Sequence, residues 1–235
     1  MKRSISLLLI IALFGAACDN HAAAGEKKLN VPPPGFKALF NGNDLSGWKG
    51  LVGDPKSRAK MSPAELAEAQ VKADADMQEH WNVVDGIIVF DGKGKSLCTA
   101  KDYADFELLV DWKIKEKGDS GIYLRGSPQV QIWDPKLSSN NAVGSGGLYN
   151  NKKNPNKPLV VADNPIGQWN TFRIRMVGEK VSVWLNGKLV VDKTVLENYW
   201  KRDKPIYRTG QIELQNHGNT LYFRNIFMKE LSSKD

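Results

Sequence analysis

Between Asp119 and Asp134 the chain reads D-S-G-I-Y-L-R-G-S-P-Q-V-Q-I-W-D, two short alternating runs around a Gly126-Ser127-Pro128 turn. Side chains alternate across a strand with period two, so Tyr123 and Arg125 share one face and Ile122 and Leu124 the other. In the second run Gln129, Gln131 and Trp133 oppose Val130 and Ile132. Each strand therefore offers an apolar face for a core and a face of hydrogen-bonding groups with an aromatic ring, which is what a carbohydrate-binding sheet requires. An ordinary sandwich pair with one solvated face shows the same alternation. Arg125 and Trp133 favour a site, because both are costly on plain solvent and both serve as binding anchors.

A second constellation lies in Q-I-E-L-Q-N-H, where Gln211, Glu213, Gln215 and His217 share the face opposite Ile212 and Leu214. The chain has 3 histidines, and only His217 ends a strand-like run; His21 and His80 do not. Imidazole titrates near neutrality, so His217 is placed for proton transfer. Glu107 and Asp111 alternate with Phe106, Leu108, Val110 and Trp112 and add two carboxylates to the candidate substrate-binding set. No H-x-H or C-x-x-C occurs, which argues against a zinc cage. Oxygen ligands around Asn41 to Asp44 leave a divalent cation such as calcium open, and the metal question is unknown at this level. No cofactor is expected, since neither a glycine-rich phosphate loop in strand–helix context nor a serine nucleophile elbow is present.

The elements that must position these groups read as short strands. Phe36 to Trp48, Trp81 to Val84, Ile87 to Phe90, Phe106 to Lys113, Trp169 to Met176, Lys180 to Leu185, Lys188 to Asp192, Gly210 to His217 and Thr220 to Leu231 alternate or are bounded by turn residues such as Asp85-Gly86 and Asn186-Gly187. One helix is expected: Ser62-Pro63-Ala64-Glu65 supplies an N-cap, a first-turn proline and a capping-box glutamate, and Ala-rich sequence continues to Met77. Its apolar stripe is thin, so it should lie on the surface as an insertion. Pro135 to Pro165 reads as a long irregular loop, a place where function often sits. The expected fold is all-β, an antiparallel sandwich, with one surface helix.

Residues 1–17, with Lys2 and Arg3 before an apolar run and Gly15-Ala16-Ala17 at its end, read as a signal peptide. Cys18 stands where a bacterial lipoprotein is acylated, although Gly15 replaces the usual leucine three residues earlier. The alternative is a plain secretory signal cleaved near Ala24. Residues 18–34, ending in Pro32-Pro33-Pro34, read as a flexible tether, and residues 35–235 as a single domain. The expected location is the bacterial cell envelope, the protein facing periplasm or exterior on a lipid anchor. The formal charge of +7 includes no basic run longer than Lys27-Lys28 or Lys152-Lys153, which argues against nucleic acid as a partner.

F-N-G-N-D-L-S-G-W at 40–48, W-N-V-V-D-G at 81–86, D-F-E-L at 105–108, D-S-G-I-Y-L-R-G at 119–126, V-Q-I-W-D at 130–134, G-Q-W-N at 167–170, L-N-G at 185–187, L-Q-N-H-G at 214–218 and F-R-N-I at 223–226 resemble the 3-keto-disaccharide hydrolase domain family. The resemblance runs from about Phe36 to Leu231. It implies a concanavalin A-like jelly roll and cleavage of glycosides oxidised to a ketone at sugar carbon 3. Many family members carry a glutamate where this chain has Gln129. The strand Gln129, Gln131, Trp133 supplies no carboxylate pair for standard glycoside hydrolysis. A 3-keto sugar needs only a base for the acidified proton on carbon 2, a group to stabilise the enolate and an acid for the leaving oxygen. On that reading His217 is the base, oriented by Glu213 or Asp134, Arg125 stabilises the enolate, and Trp133 stacks on a sugar ring. Asp134 is a further proton-transfer candidate, and Tyr123, Gln131, Gln215, Glu213, Glu107 and Asp111 bind substrate. The competing role for Arg125 is a salt bridge to Asp119 or Asp134. The competing functions are a non-catalytic, lectin-like sugar-binding module of the envelope and an envelope interaction protein.

Overall fold

The computed structural model describes residues 28–136 and 143–232, so the signal segment and Cys18 lie outside the described residues. The strands are β1 (Lys37–Ala38), β2 (Trp48–Gly50), β3 (Trp81–Val84), β4 (Ile87–Phe90), β5 (Leu97–Thr99), β6 (Phe106–Ile114), β7 (Asp119–Leu124), β8 (Ser127–Trp133), β9 (Asn170–Val177), β10 (Lys180–Leu185), β11 (Lys188–Val195), β12 (Glu213–Leu214) and β13 (Leu221–Glu230). Two helices, α1 (Pro55–Arg58) and α2 (Pro63–His80), fall between β2 and β3. The strands form two antiparallel sheets. One runs β11-β10-β9-β6-β13-β4-β3, with β1 also on β13, and the other runs β2-β5-β12-β7-β8.

Alternation explains the layers. Phe106, Leu108, Val110, Trp112 and Ile114 of β6 are buried, as are Phe172, Ile174 and Met176 of β9 and Val181, Val183 and Leu185 of β10. They meet Leu97, Ile122, Leu124, Val130, Ile132, Ile212 and Leu214 from the second sheet in one core cluster. Each such side chain contributes about 1.5–3 kcal/mol on removal from water, and the opposite faces are left for polar residues. The antiparallel two-sheet sandwich expected from the sequence is the observed architecture.

Four local features differ from expectation. The helix expected to Met77 continues to His80, and a second, four-residue helix precedes it, with Asp54 accepting from the Lys56 and Ser57 N–H groups. The run Gly210 to His217 forms strand only at Glu213–Leu214. The chain joins the fold earlier than residue 35: Asn30 exchanges hydrogen bonds with Asn225 at 2.7 and 2.9 Å, so the tether is docked by that point. Finally, the turn between β7 and β8 is Arg125-Gly126, with φ of 53° and 72° and Leu124 paired to Ser127. Two successive left-handed residues make a type I′ hairpin, whose twist matches that of the strands. Pro128 thus lies inside β8, which is tolerated because β8 is an edge strand.

Helix α2 protects the other edge of the same sheet. Gly50 of β2 donates its N–H to Asp74 at 2.9 Å and accepts from Gln70 at 2.9 Å, so side chains of α2 replace a missing strand partner. A Cβ on Gly50 would stand 1.9 Å from the Ala73 carbonyl oxygen, so this contact requires glycine. The same packing holds α1 and the connecting loop against the polar face of the five-stranded sheet, where Pro55 of α1 lies 3.0 Å from a Cβ built on Gly126.

Candidate active site

The polar face of the five-stranded sheet is a floor built by register. Glu213 pairs with Cys98 on one side and Tyr123 on the other, and Lys49 pairs with Cys98, so these four side chains form one row. Gly121 pairs with Gln131, and Asp119 with Trp133, which gives the rows below. Gln215 donates to the Tyr123 hydroxyl at 3.2 Å, while its own Oε1 is buried without a partner among the described residues. The Gln129 side-chain amide donates to the Gln131 Oε1, and the Gln131 Nε2 in turn donates to Asp119 at 2.7 Å.

Over this floor lies a cavity of about 470 Å³ whose wall includes Glu213, Tyr123, Ser96, Asn216, Asp54 and Trp200. Trp200 is fixed by an Nε1–H bond to the Gly126 carbonyl at 2.8 Å, so the hairpin turn holds the aromatic wall. Asn216 is fixed by bonds to the Gly94 carbonyl at 2.7 Å and, through its own N–H, to the Ser96 hydroxyl at 3.1 Å.

Glu213 is 5% exposed. Burial pushes its carboxyl up to about 7, against the opposing pull of the Ser96 hydroxyl and the Arg58 guanidinium. A carboxyl so placed exchanges protons at neutral pH. Burial likewise raises the Tyr123 phenol, aided by the charge of Glu213, so it remains a neutral donor. Cys98, beside Glu213, is pushed up to about 12, chiefly by burial, and is therefore an unreactive thiol.

At the next turn of the floor His217 Nδ1 lies 3.7 Å from Asp119 Oδ2. Burial raises the Asp119 carboxyl, with His217 and the Gln131 hydrogen bond working the other way. His217 is exposed and stands at the rim rather than in the cavity. Trp133 donates to the Val143 carbonyl at 2.7 Å and packs edge-on against Tyr149, so one of its faces is already committed to the loop after β8.

The structure thus brings together Tyr123, Gln131, Trp133, Glu213, Gln215 and His217 on one sheet face. It does not bring Arg125, Asp134, Glu107 or Asp111 there. Arg125 sits in the left-handed turn, where strand parity ends, and its side chain runs away from the floor. It donates to the carbonyls of Ala104, Gly178 and Tyr207 and pairs with Asp105 at 2.6 Å, so its partner is neither Asp119 nor Asp134. Asp134 is 1% exposed and accepts from the Lys117 and Lys136 N–H groups, bracing the end of β8. Glu107 and Asp111 belong to β6 of the other sheet. Glu107 takes both arms of Arg173, and Asp111 accepts from Thr171, Asn225 and Arg224. Asn41 and Asp44 spend their oxygens on neighbouring N–H groups of the same exposed turn. No group of three or more His, Cys, Asp or Glu suited to a metal occurs among the described residues.

Sequence reasoning missed Ser96, Asp54, Asn216, Trp200 and the pairing of Asp119 with His217. The Asn198-Tyr199-Trp200 aromatic pair within a polar loop was the one visible signal for the wall. Nothing in the pattern marks Asp54 or Ser96.

A family model described as a 3-keto-alpha-glucoside-1,2-lyase-like domain matches residues 35–229. A Bacteroides thetaiotaomicron protein named 3-keto-disaccharide hydrolase is 24% identical over 261 aligned residues, covering 87% of this chain and 81% of that protein. A crystal structure of a Parabacteroides distasonis protein, provisionally described as a glycosyl hydrolase, is 27% identical with a TM-score of 0.63. That match covers 87% of this chain and 100% of the other. A second structure from the same organism, described in the same words, is 27% identical with a TM-score of 0.61, covering 85% of each chain.

Proposed function

Because this chain belongs to the 3-keto-alpha-glucoside-1,2-lyase-like domain family, we propose that it is a carbohydrate-cleaving hydrolase whose substrates are glycosides carrying a ketone at carbon 3. The ketone acidifies the proton on carbon 2. The ionised Glu213 carboxylate takes that proton, and the C–H electron pair moves into an enolate on the oxygen of carbon 3. Collapse of the enolate expels the glycosidic oxygen, which receives a proton. Water then adds across the resulting carbon 1–carbon 2 double bond, so the net reaction is hydrolysis. Tyr123 donates to the enolate oxygen, an interaction that strengthens as charge develops. Trp200, in the cavity wall, offers a ring face to the sugar.

One observation carries this reading: a carboxyl poised at about 7, 5% exposed, on the floor of a cavity beside a neutral phenol. Near neutrality both of its protonation states are populated, so the same group can accept the carbon 2 proton and return it to the leaving oxygen. A second reading rests on the 3.7 Å approach of His217 to Asp119, which would make His217 the base at the rim. Turnover of a 3-keto glycoside by Glu213→Gln and His217→Ala separates the two. Loss of a general base costs ~100-fold to 10,000-fold, so Glu213→Gln should fall by that order and His217→Ala by far less. The reverse ordering assigns the base to His217. If neither variant nor the parent turns over, the sheet face is a binding module for sugar. The proposed location remains the cell envelope, through acylation of Cys18.

A further inference from the structure

Helix α2 covers a sheet edge at Gly50, and its last turn also reaches a loop of the cavity that holds Glu213. Asp76 and His80 stand four residues apart on one face of the helix end, and the loop from Asp91 to Ser96 crosses over them. A Cβ built on Gly94, whose φ is 71°, would lie 2.5 Å from His80 Cδ2 and 2.6 Å from Asp76 Oδ2, so the close approach requires glycine. Asp76 Oδ2 accepts the Lys95 N–H at 2.8 Å, and Trp81 Nε1–H donates to the Lys95 carbonyl at 2.9 Å. Trp81 is 2% exposed and stacks on Phe90, which fixes that donor. His80 Nδ1 lies 3.0 Å from Asp91 Oδ2 and secures the start of the loop. Both backbone groups of Lys95 are thus held, and the next residue is Ser96.

Ser96 stands two residues before Cys98, and the Leu51 N–H bond to its carbonyl at 3.0 Å continues the ladder of β2 and β5. Parity therefore puts Ser96 on the same sheet face as Cys98 and its partner Glu213. A diagonal neighbour in an antiparallel pair is within reach of a long side chain. The Ser96 hydroxyl oxygen accepts the Asn216 N–H at 3.1 Å, which leaves its own proton to donate. Burial raises the Glu213 carboxyl, and the Ser96 hydroxyl pulls it down more than Arg58 does.

We propose that Asp76 is a positioning residue for Glu213: by fixing the Lys95 N–H it holds the Ser96 hydroxyl as a donor to that carboxylate. The inference rests on the reading of Glu213 as the group that carries the proton. The inserted helix thereby tunes the site from outside the cavity. The charged and titratable groups around Glu213 are Arg58 of α1, Lys49 of β2, Cys98 of β5 and Tyr123 of β7, with Asp54 and Lys95 in the cavity wall. All of them are kept in every variant of the test.

Carbon-13 NMR of the side-chain carboxyls follows the Glu213 titration in the purified protein without turnover, its signal being assigned by loss in Glu213→Gln. Ser96→Ala should raise the midpoint by about one pH unit, the effect of losing a hydrogen bond to a charged group. Asp76→Ala should raise it by about half a unit and add nothing when Ser96 is already alanine. Asp76→Asn, whose Oδ1 still accepts the Lys95 N–H, should stay near the parent. The sign excludes a direct field effect, since deleting a nearby carboxylate lowers the midpoint of another carboxyl. A midpoint in Asp76→Ala that is unchanged or lower overturns the proposal, and so does an equal rise on the Ser96→Ala background. If Asp76→Ala does not fold, Gly94→Ala displaces the same loop through other atoms, and an unchanged midpoint there overturns it. The pH profile of kcat/KM on a 3-keto glycoside reports separately on the catalytic reading, because its acidic limb should move with the carboxyl in each variant. A limb that stays in place, or no turnover by the parent, refutes Glu213 as the base and leaves the NMR titration to decide the role of Asp76.

Discussion

Arg125→Ala should unfold the protein at markedly lower temperature before it says anything about catalysis. The guanidinium is 3% exposed and donates to the Ala104 carbonyl at 2.7 Å, the Gly178 carbonyl at 2.8 Å, the Tyr207 carbonyl at 3.2 Å and Asp105 at 2.6 Å. These partners lie in three separate loops, so one side chain ties the β7–β8 turn to the rest of the sandwich. Burial pulls the guanidinium down, and Asp105 offsets only part of that pull. Removal leaves three carbonyls without their donor, each costing about 1 kcal/mol or more. Asp105 is partly exposed and keeps the Gly178 N–H at 2.9 Å, so it loses less. The total should be about 3–5 kcal/mol, the range for breaking a buried pair, or a drop of roughly 6–20 °C in Tm for a chain of this size. Arg125→Lys should recover only a small part, because an ammonium cannot span the fork. A thermal melt at pH 7 checks this. If Arg125→Ala melts within about 2 °C of the parent yet has lost turnover, the guanidinium acts on substrate and the bracing role is refuted.

Glu213→Gln should gain stability where it loses activity. The folded protein holds the Glu213 proton up to about pH 7, whereas the unfolded chain releases it near 4.5. The native state therefore binds more protons across that window, and stability falls as pH rises through it. The full gap is worth about 3 kcal/mol above pH 7, so urea melts at pH 8 should show the variant more stable by about that amount and the two proteins alike at pH 4. Equal stability at pH 8 would mean that Glu213 is not held up by burial. Tyr123→Phe, which keeps the ring and removes the donor, should lower kcat on a 3-keto glycoside by about 100-fold, and an unchanged kcat excludes the phenol as enolate donor. Cys18→Ser should move the protein from the membrane to the soluble fraction on cell lysis, and continued membrane retention contradicts lipid anchoring.

The fold was legible because its signal is repeated. Phe106 to Ile114 alternates over nine residues, and Ser62 with Glu65 announces α2 in the capping box. The floor was partly legible for the same reason: period two put Tyr123, Gln131, Trp133, Glu213 and Gln215 on one face, and register did the rest. Parity failed at Arg125 because it assumes extended backbone, and the Arg125-Gly126 turn is left-handed at both positions. It failed differently for Glu107 and Asp111, whose alternation is correct but whose sheet is the wrong one; a strand does not state which layer it joins. The part proposed here for Glu213, holding the proton itself rather than orienting a histidine, was not legible, because burial, which raises its carboxyl, comes from segments packed around it, among them α1, Ser96 and the loop bearing Trp200. Those segments are remote in sequence.

The most direct test of the central claim is the initial rate of the purified protein on a matched pair, one glycoside and its 3-keto form, followed by release of the leaving group at neutral pH. The account predicts release from the keto form alone, because only that ketone makes the carbon 2 proton accessible to a single carboxylate. Equal release from the unmodified glycoside would contradict it, since the floor carrying Glu213 would then be cleaving without the enolate on which the assignment depends.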